Sequence, residues 1–259
     1  MFTVVANHES VDAAAAYNDL TPAAGDATTK VVGDKTAVPT LSQVVALSAG
    51  VAIGGTGAAR IESPELTKLG RYYINGVNGR NDGNVVPNAR ALVDDLRAQP
   101  LSMVVGENFL ATIHSDSTAA ALQWILLWFA DGPIAPVIGP HFTTRLTGAT
   151  AVVSRTWSLV NLTFDENIPR GRYTIVGMRA QSTTCVAARL VLPNIGPRPG
   201  VIGCTTAGDE GWLGFRHGQF GAFGEWEDTD AMQAEFLCNA ADAAQIVYLD
   251  LAPARLGPG

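Results

Sequence analysis

From Leu41 onward the chain is a succession of short apolar segments punctuated by Gly, Pro, Asn and Asp, and no uninterrupted apolar stretch exceeds about a dozen residues. Segments of four to ten residues bounded by turn formers suit strands better than helices, which need longer windows with apolar residues every three or four positions. The pattern predicts strands near Gln43–Ile53, Arg71–Val77, Leu101–His114, Ala121–Ala130, Ala151–Phe164, Arg172–Gln181, Cys185–Leu192, Val201–Thr205, Gly214–Glu225, Ala234–Cys238 and Ala244–Leu251. The richest apolar run, AAALQWILLWFA at 119–130, falls short of the roughly 18 residues a membrane-crossing helix requires.

Alternation is clearest in GRYTIVGMRA, where Tyr173 and Ile175 share one face while Thr174, Val176 and Met178 share the other. In QIVYLDL both faces are mostly apolar, which predicts a central strand covered on both sides. Ile168-Pro169-Arg170-Gly171 carries a type I turn signature, and His114-Ser115-Asp116-Ser117-Thr118 reads as a hairpin loop. One segment, Pro87–Ala98, has helical spacing behind a leading Pro, and the Ala run within Val11–Leu20 allows a second short helix. No internal repeat is visible.

Residues 1–40 are rich in Ala, Thr, Asp and Gly with few large apolar anchors, so they read as an extended N-terminal arm. The expected fold class is therefore all-β, a sandwich or barrel over residues 41–259, with the arm and one short helix. The alternative organisation is two small sandwiches split near residue 140.

Charged residues make up only 16% of the 259 residues against 47% hydrophobic, which excludes global disorder. Of 17 basic residues only Lys30, Lys35 and Lys68 are lysine. Subunit interfaces are depleted in Lys and enriched in Arg, so the lysine-free body predicts surface hidden against other protein; GC-rich codon usage is the rival explanation. A net charge of −7 and the absence of a basic cluster argue against binding to a phosphate backbone. The start, MFTVVANHES, has neither a basic nor an apolar signal region, so retention in a reducing cytoplasm is expected. Cys185, Cys204 and Cys238 are too widely spaced for a CxxC metal site and read as buried apolar residues.

No catalytic signature emerges, and the expectation is a protein that is not an enzyme, with no catalytic, cofactor or metal residues. There is no G-x-S-x-G elbow, no HExxH pair, and His8, His114, His141 and His217 are scattered. VAIGGTGAA at 51–59 has the glycines of a nucleotide loop, but Arg60 stands where the third Gly belongs and Pro64 interrupts a following helix. The acidic run Glu225, Glu227, Asp228 and Asp230 around Trp226 leaves two alternatives open, a paired-acid sugar site and a divalent cation site, beside that of a solvated loop. Within Gly211–Trp226, Phe220 and Phe223 suit a core, whereas Trp212 and Arg216 are interface candidates.

The arm, the run of short strands, and the stretch from Trp157 through IPRGRYTIVGMRA, AARLVLPNIGPRPG and AQIVYLDL resemble jelly-roll coat proteins of icosahedral viruses and tailless bacteriophages. The resemblance implies that residues 41–259 form an antiparallel jelly-roll β-sandwich of eight strands, and that the chain is a structural protein of the virion, assembled in the host cytoplasm. Its partners would be copies of itself, as a homo-oligomer, and other virion proteins. Lacking an Arg-rich arm, it would form a capsid shell over an internal membrane or protein layer rather than on nucleic acid, with no transmembrane segment of its own. A carbohydrate-binding or glycoside-active sandwich and a phage tail or spike subunit are the alternatives.

Overall fold

The computed structural model describes residues 1–11, 17–33, 35–51, 56–68, 70, 72–79, 93–115, 121–193, 195–204 and 215–254. The chain is all-β and divides into two units, Phe2–Pro133 and Ile134–Gly259. No helix among the described residues is long and apolar enough to cross a membrane.

The first unit contains β1 (Phe2–Val11), β2 (Asn18–Pro22), β3 (Val31–Val32), β4 (Lys35–Ala37), β5 (Gln43–Val51), β6 (Thr56–Glu62), β7 (Tyr72–Gly79), β8 (Val93–Asp95), β9 (Leu101–Ser102), β10 (Asn108–Ser115) and β11 (Ala121–Ala130). Seven of these close a barrel in the order β1, β11, β5, β7, β6, β10, β2 and back to β1. All its ladders are antiparallel except β5–β7, which pair in parallel through Gly50↔Asn78 and Val51↔Gly79. The short strands β8 and β9 lie antiparallel along β5. Closure removes the free edges that an open sheet leaves for aggregation. The core is a continuous apolar cluster that includes Leu47, Ile61, Phe109, Ile125, Leu127 and Phe129, with the two phenylalanine rings 5.9 Å apart.

The segment expected to be an arm contributes a barrel strand instead. Strand β1 pairs with β11 along its whole length, from Phe2↔Ala130 to Val11↔Ala121, and Val4, Val5 and Ala6 are fully buried. Few large side chains are needed there because β11 supplies Trp124, Trp128 and Phe129, and the smaller Val4 and Thr3 stand opposite the last two. The Val11–Leu20 helix does not form over its described end, where Asn18–Pro22 is β2; residues 12–16 lie outside the described residues. Likewise residues 80–92 lie outside them, and Val93–Asp95, expected in a helix, is strand β8, paired with Ser48, Leu47 and Ala46 of β5.

The one described helix is α1 (Pro64–Lys68), five residues long. Pro64 starts it rather than stopping it, because a first-turn residue has no intrahelical use for its N–H. Ser63 caps it, its Oγ accepting a hydrogen bond from the Leu66 N–H at 3.1 Å.

The second unit holds β12 (Phe142–Gly148), β13 (Ser158–Phe164), β14 (Arg172–Gln181), β15 (Cys185–Val191), β16 (Gly200–Cys204), β17 (Gly224–Glu227), β18 (Met232–Cys238) and β19 (Gln245–Pro253). Its pairings run β12, β19, β14, β16, β15, β18, β13 and back to β12. Here too a single ladder is parallel, β14–β16 through Ala180↔Gly203 and Gln181↔Cys204, and β17 lies antiparallel along β14. Buried residues of the unit include Val160, Ile175, Leu190, Phe236, Val247 and Leu249. Strand β19 is central, as its two apolar faces predict, between β12 and β14.

The two units have the same connectivity. Numbering the seven ring strands of each by chain order, both rings read 1-7-3-5-4-6-2, with the parallel ladder between strands 3 and 5. In both, the extra strand along strand 3 arises between strands 5 and 6: β8 and β9 in the first, β17 in the second. This repeat is invisible in the sequence because pairing uses backbone groups, which any residue but proline supplies, and burial requires only alternation.

Strands β10 and β11, expected to form a hairpin through residues 114–118, are not paired: β10 pairs with β2, β4 and β6 while β11 pairs with β1 and β5, and residues 116–120 lie outside the described residues. Of the predicted strand Gly214–Glu225 only the end belongs to one, β17.

Candidate functional site

The acidic run lies on and just after β17. Glu225 and Glu227 share the exposed face of that strand while Trp226 between them points inward and is buried. The guanidinium of Arg172, on the adjacent β14, bonds to the Glu225 carboxylate. Asp228 accepts a hydrogen bond from the Gly171 N–H at 2.9 Å and returns its own N–H to the Gly171 carbonyl at 3.1 Å. Two carboxylates side by side on one strand cannot flank a sugar ring from opposite sides, as paired glycosidase acids do. Trp226 offers no open platform either: its ring packs on Tyr173 at 6.1 Å and Phe164 at 5.1 Å, and its Nε1 donates to the Asp230 carbonyl at 3.1 Å.

Next to this run the end of β13 and the loops after β13 and β17 enclose a cleft of about 390 Å³. Phe164, Trp226, Leu162 and Met232 form its apolar floor, and Glu166, Asp228 and Asp230 bring three carboxylates to its lining, which contains no basic residue.

Two of the scattered histidines meet in the fold. His141, ahead of β12, and His217, in the 215–223 segment, lie with Nε2 and Nδ1 2.9 Å apart, so in the neutral pair one ring donates and the other accepts. Beneath them Asp250 of β19 is fully buried. It takes two bonds from Arg216, Nε to Oδ2 at 2.8 Å and Nη2 to Oδ1 at 2.9 Å, one from Thr143 Oγ1 at 2.6 Å, and one from the His217 N–H at 2.8 Å. Burial alone would raise this carboxyl; the bonds from Arg216, Thr143 and the His217 backbone outweigh it and hold the group down at about 2. Arg216, an interface candidate in the sequence, is thus tied within its own chain.

The chemistry of this network is anchorage. The Thr143 hydroxyl already donates to Asp250, and both Asp250 oxygens are occupied, so no nucleophile and base stand ready as in a hydrolase triad. The network pins the 215–223 segment to β12 and β19. Gly177 makes room for it: a Cβ there would collide with the Asp250 carboxylate.

A second buried ion pair joins neighbouring strands of the same unit. Arg189 of β15 donates from Nε to Glu235 Oε2 of β18 at 2.6 Å, and its guanidinium lies 4.0 Å from the ring centre of Trp157. Nearby, all three cysteines are free and buried, as expected, with Cys185 directly opposite Cys238 in the β15–β18 ladder. Hydrogen bonding from Cys185 and Ser182 lowers the Cys238 thiol below its ordinary range against the opposing effect of burial.

Among the described residues no group of three or more His, Cys, Asp or Glu is arranged to hold a metal ion. In the glycine-rich segment, residues 52–55 lie outside the described residues, and Thr56–Glu62 continues as β6. A strand rather than a helix N-terminus therefore follows the glycines, which removes the pyrophosphate-binding element of a nucleotide loop. Phe220 and Phe223 are buried as expected; Trp212 lies outside the described residues.

No protein family and no curated protein matches the sequence. Among solved structures the chain has a distant neighbour in the major capsid protein P2 from Bacteriophage PM2, at 9% identity with all of both chains covered and a TM-score of 0.24. A superposition that loose does not establish a common fold.

Proposed function

We propose that this chain is a non-enzymatic structural subunit of a virus capsid, built from two jelly-roll units in tandem, that assembles with copies of itself into a shell. The observation that carries the reading is the shared connectivity of the two units. Counting β8 and β9 as one strand, the first unit supplies the four-stranded sets β1-β11-β5-β8/β9 and β2-β10-β6-β7. The second supplies β12-β19-β14-β17 and β13-β18-β15-β16. This order supports a reading of each unit as a jelly roll, two Greek keys wound on each other. A pair of like units gives one chain two similar surfaces to offer its neighbours, which suits repetitive packing in a closed, symmetric assembly.

The chemistry of the buried polar groups supports the same role. Arg216–Asp250 and Arg189–Glu235 fasten segments of the second unit to one another, and neither leaves a free nucleophile beside a base. The low lysine content and net negative charge favour protein neighbours over nucleic acid, in line with a shell on a membrane or another protein layer.

The test is electron microscopy together with light scattering on the purified chain over a range of salt. Closed shells, or discrete oligomers that close into them, are the expected result. A monodisperse monomer under every condition overturns the reading, and an open fibre moves it to a tail or spike subunit.

A further inference from the structure

The cleft beside β13 and β17 has a lining of definite chemistry. Its floor is aromatic and aliphatic, its lining carries Glu166, Asp228 and Asp230, and no cation lines it. Glu166 and Asp230 form no ion pair among the described residues, whereas Asp165 beside them is taken by Arg145, and Glu225 by Arg172. Carboxylates beside the partly exposed apolar side chains of Phe164 and Ile168 match a guanidinium, which is planar, weakly hydrated and donates to carboxylate oxygens while its alkyl stem packs on apolar surface.

The chain displays such a group next to the cleft. Arg170 follows Ile168, itself a lining residue, by two positions in the turn that leads into β14. It is exposed and has no ion-pair partner among the described residues, unlike Arg145, Arg172, Arg189 and Arg216 of the same unit. An exposed guanidinium two residues from an acidic cleft makes the surface self-complementary across a twofold axis, where residue i of each copy meets residue j of its partner.

We infer that two copies of this chain dock through this loop, with Arg170 of each seated in the Glu166/Asp230 cleft of the other. The inference rests on the self-assembly proposed above and names one of its contacts. Being rim-exposed and charged, the contact is weakened by salt.

A charge exchange tests it on the full chain. Sedimentation velocity is run on the wild type, on Arg170→Glu, on Glu166→Arg/Asp230→Arg, and on an equimolar mixture of the two variants, each checked for native circular dichroism. Each variant alone places like charges in both contacts and should associate about tenfold or more weakly than wild type. The mixture restores opposite charges in both contacts and should recover association. Wild-type association that Arg170→Glu leaves unchanged, or a mixture no tighter than its components, overturns the inference while leaving self-assembly standing. A wild type that never associates overturns both.

Discussion

Arg189 donates from Nε to Glu235 Oε2 at 2.6 Å with its side chain wholly removed from solvent and that of Glu235 nearly so, and the Trp157 ring lies against the guanidinium. The strands that carry them place the two residues directly opposite in the β15–β18 ladder.

Removing Arg189 leaves the largely buried Glu235 carboxylate only the more distant Arg198, whose Nε stands 3.9 Å away, and removing Glu235 leaves the fully buried Arg189 charge without that carboxylate. Arg189→Met should cost about 3–5 kcal/mol, whereas Arg189→Met/Glu235→Leu, which removes both charges, should cost far less. Urea unfolding of the two variants measures the difference. Equal losses would mean that packing rather than charge pairing dominates here.

Asp250 gives the protein an acid-sensitive anchor. Its folded pKa, about 2, lies below the ordinary 3.8, so it stabilises the fold fully above about pH 4 and loses that contribution as pH falls from about 4 to 2. The contribution is about 2 kcal/mol. Asp250→Asn should lower the urea midpoint at pH 7 and flatten its fall across this window. A wild-type midpoint insensitive to pH there would remove Asp250 as an anchor.

Gly218 is required by both its backbone and its surroundings. Its φ is +73°, and a Cβ there would collide with the Val137 carbonyl oxygen, next to the bond from the Val137 N–H to the Gly218 carbonyl at 2.8 Å. Gly218→Ala should cost about 1–3 kcal/mol. It should also separate His141 from His217, visible as shifted imidazole signals by NMR; unchanged signals and melting temperature would refute this.

Deleting residues 1–11 distinguishes a barrel strand from a dispensable arm. Loss of β1 leaves β11 unpaired on one side and uncovers Trp124 and Trp128, so the first unit should lose its near-ultraviolet dichroism and aggregate. A soluble truncated chain with native aromatic signals would restore the arm reading.

Where the sequence was legible, local pattern and tertiary demand agreed. Strands β11 and β14 occupy the predicted residues because long apolar or alternating runs have no other way to bury their side chains. β1 escaped notice because Val4 to Asn7 and the residues that follow take their burial from Trp124 and Trp128, more than a hundred positions away. The His141–His217 contact was equally hidden, 76 residues apart, with no local signal to join them. The arginine excess has a partly internal cause: Arg97 and Arg216 each bond a carboxylate of their own chain through a planar fork that lysine lacks, and Arg189 bonds one through Nε.

The sequence by itself determined an all-β chain, because its apolar segments are strand-sized and cannot close as helices. Only the tertiary structure decided that these strands form two units of one connectivity and that the N-terminal segment is part of the first. Strand pairing joins backbone groups of residues far apart in the chain, and such partners leave no mark on the local order of side chains.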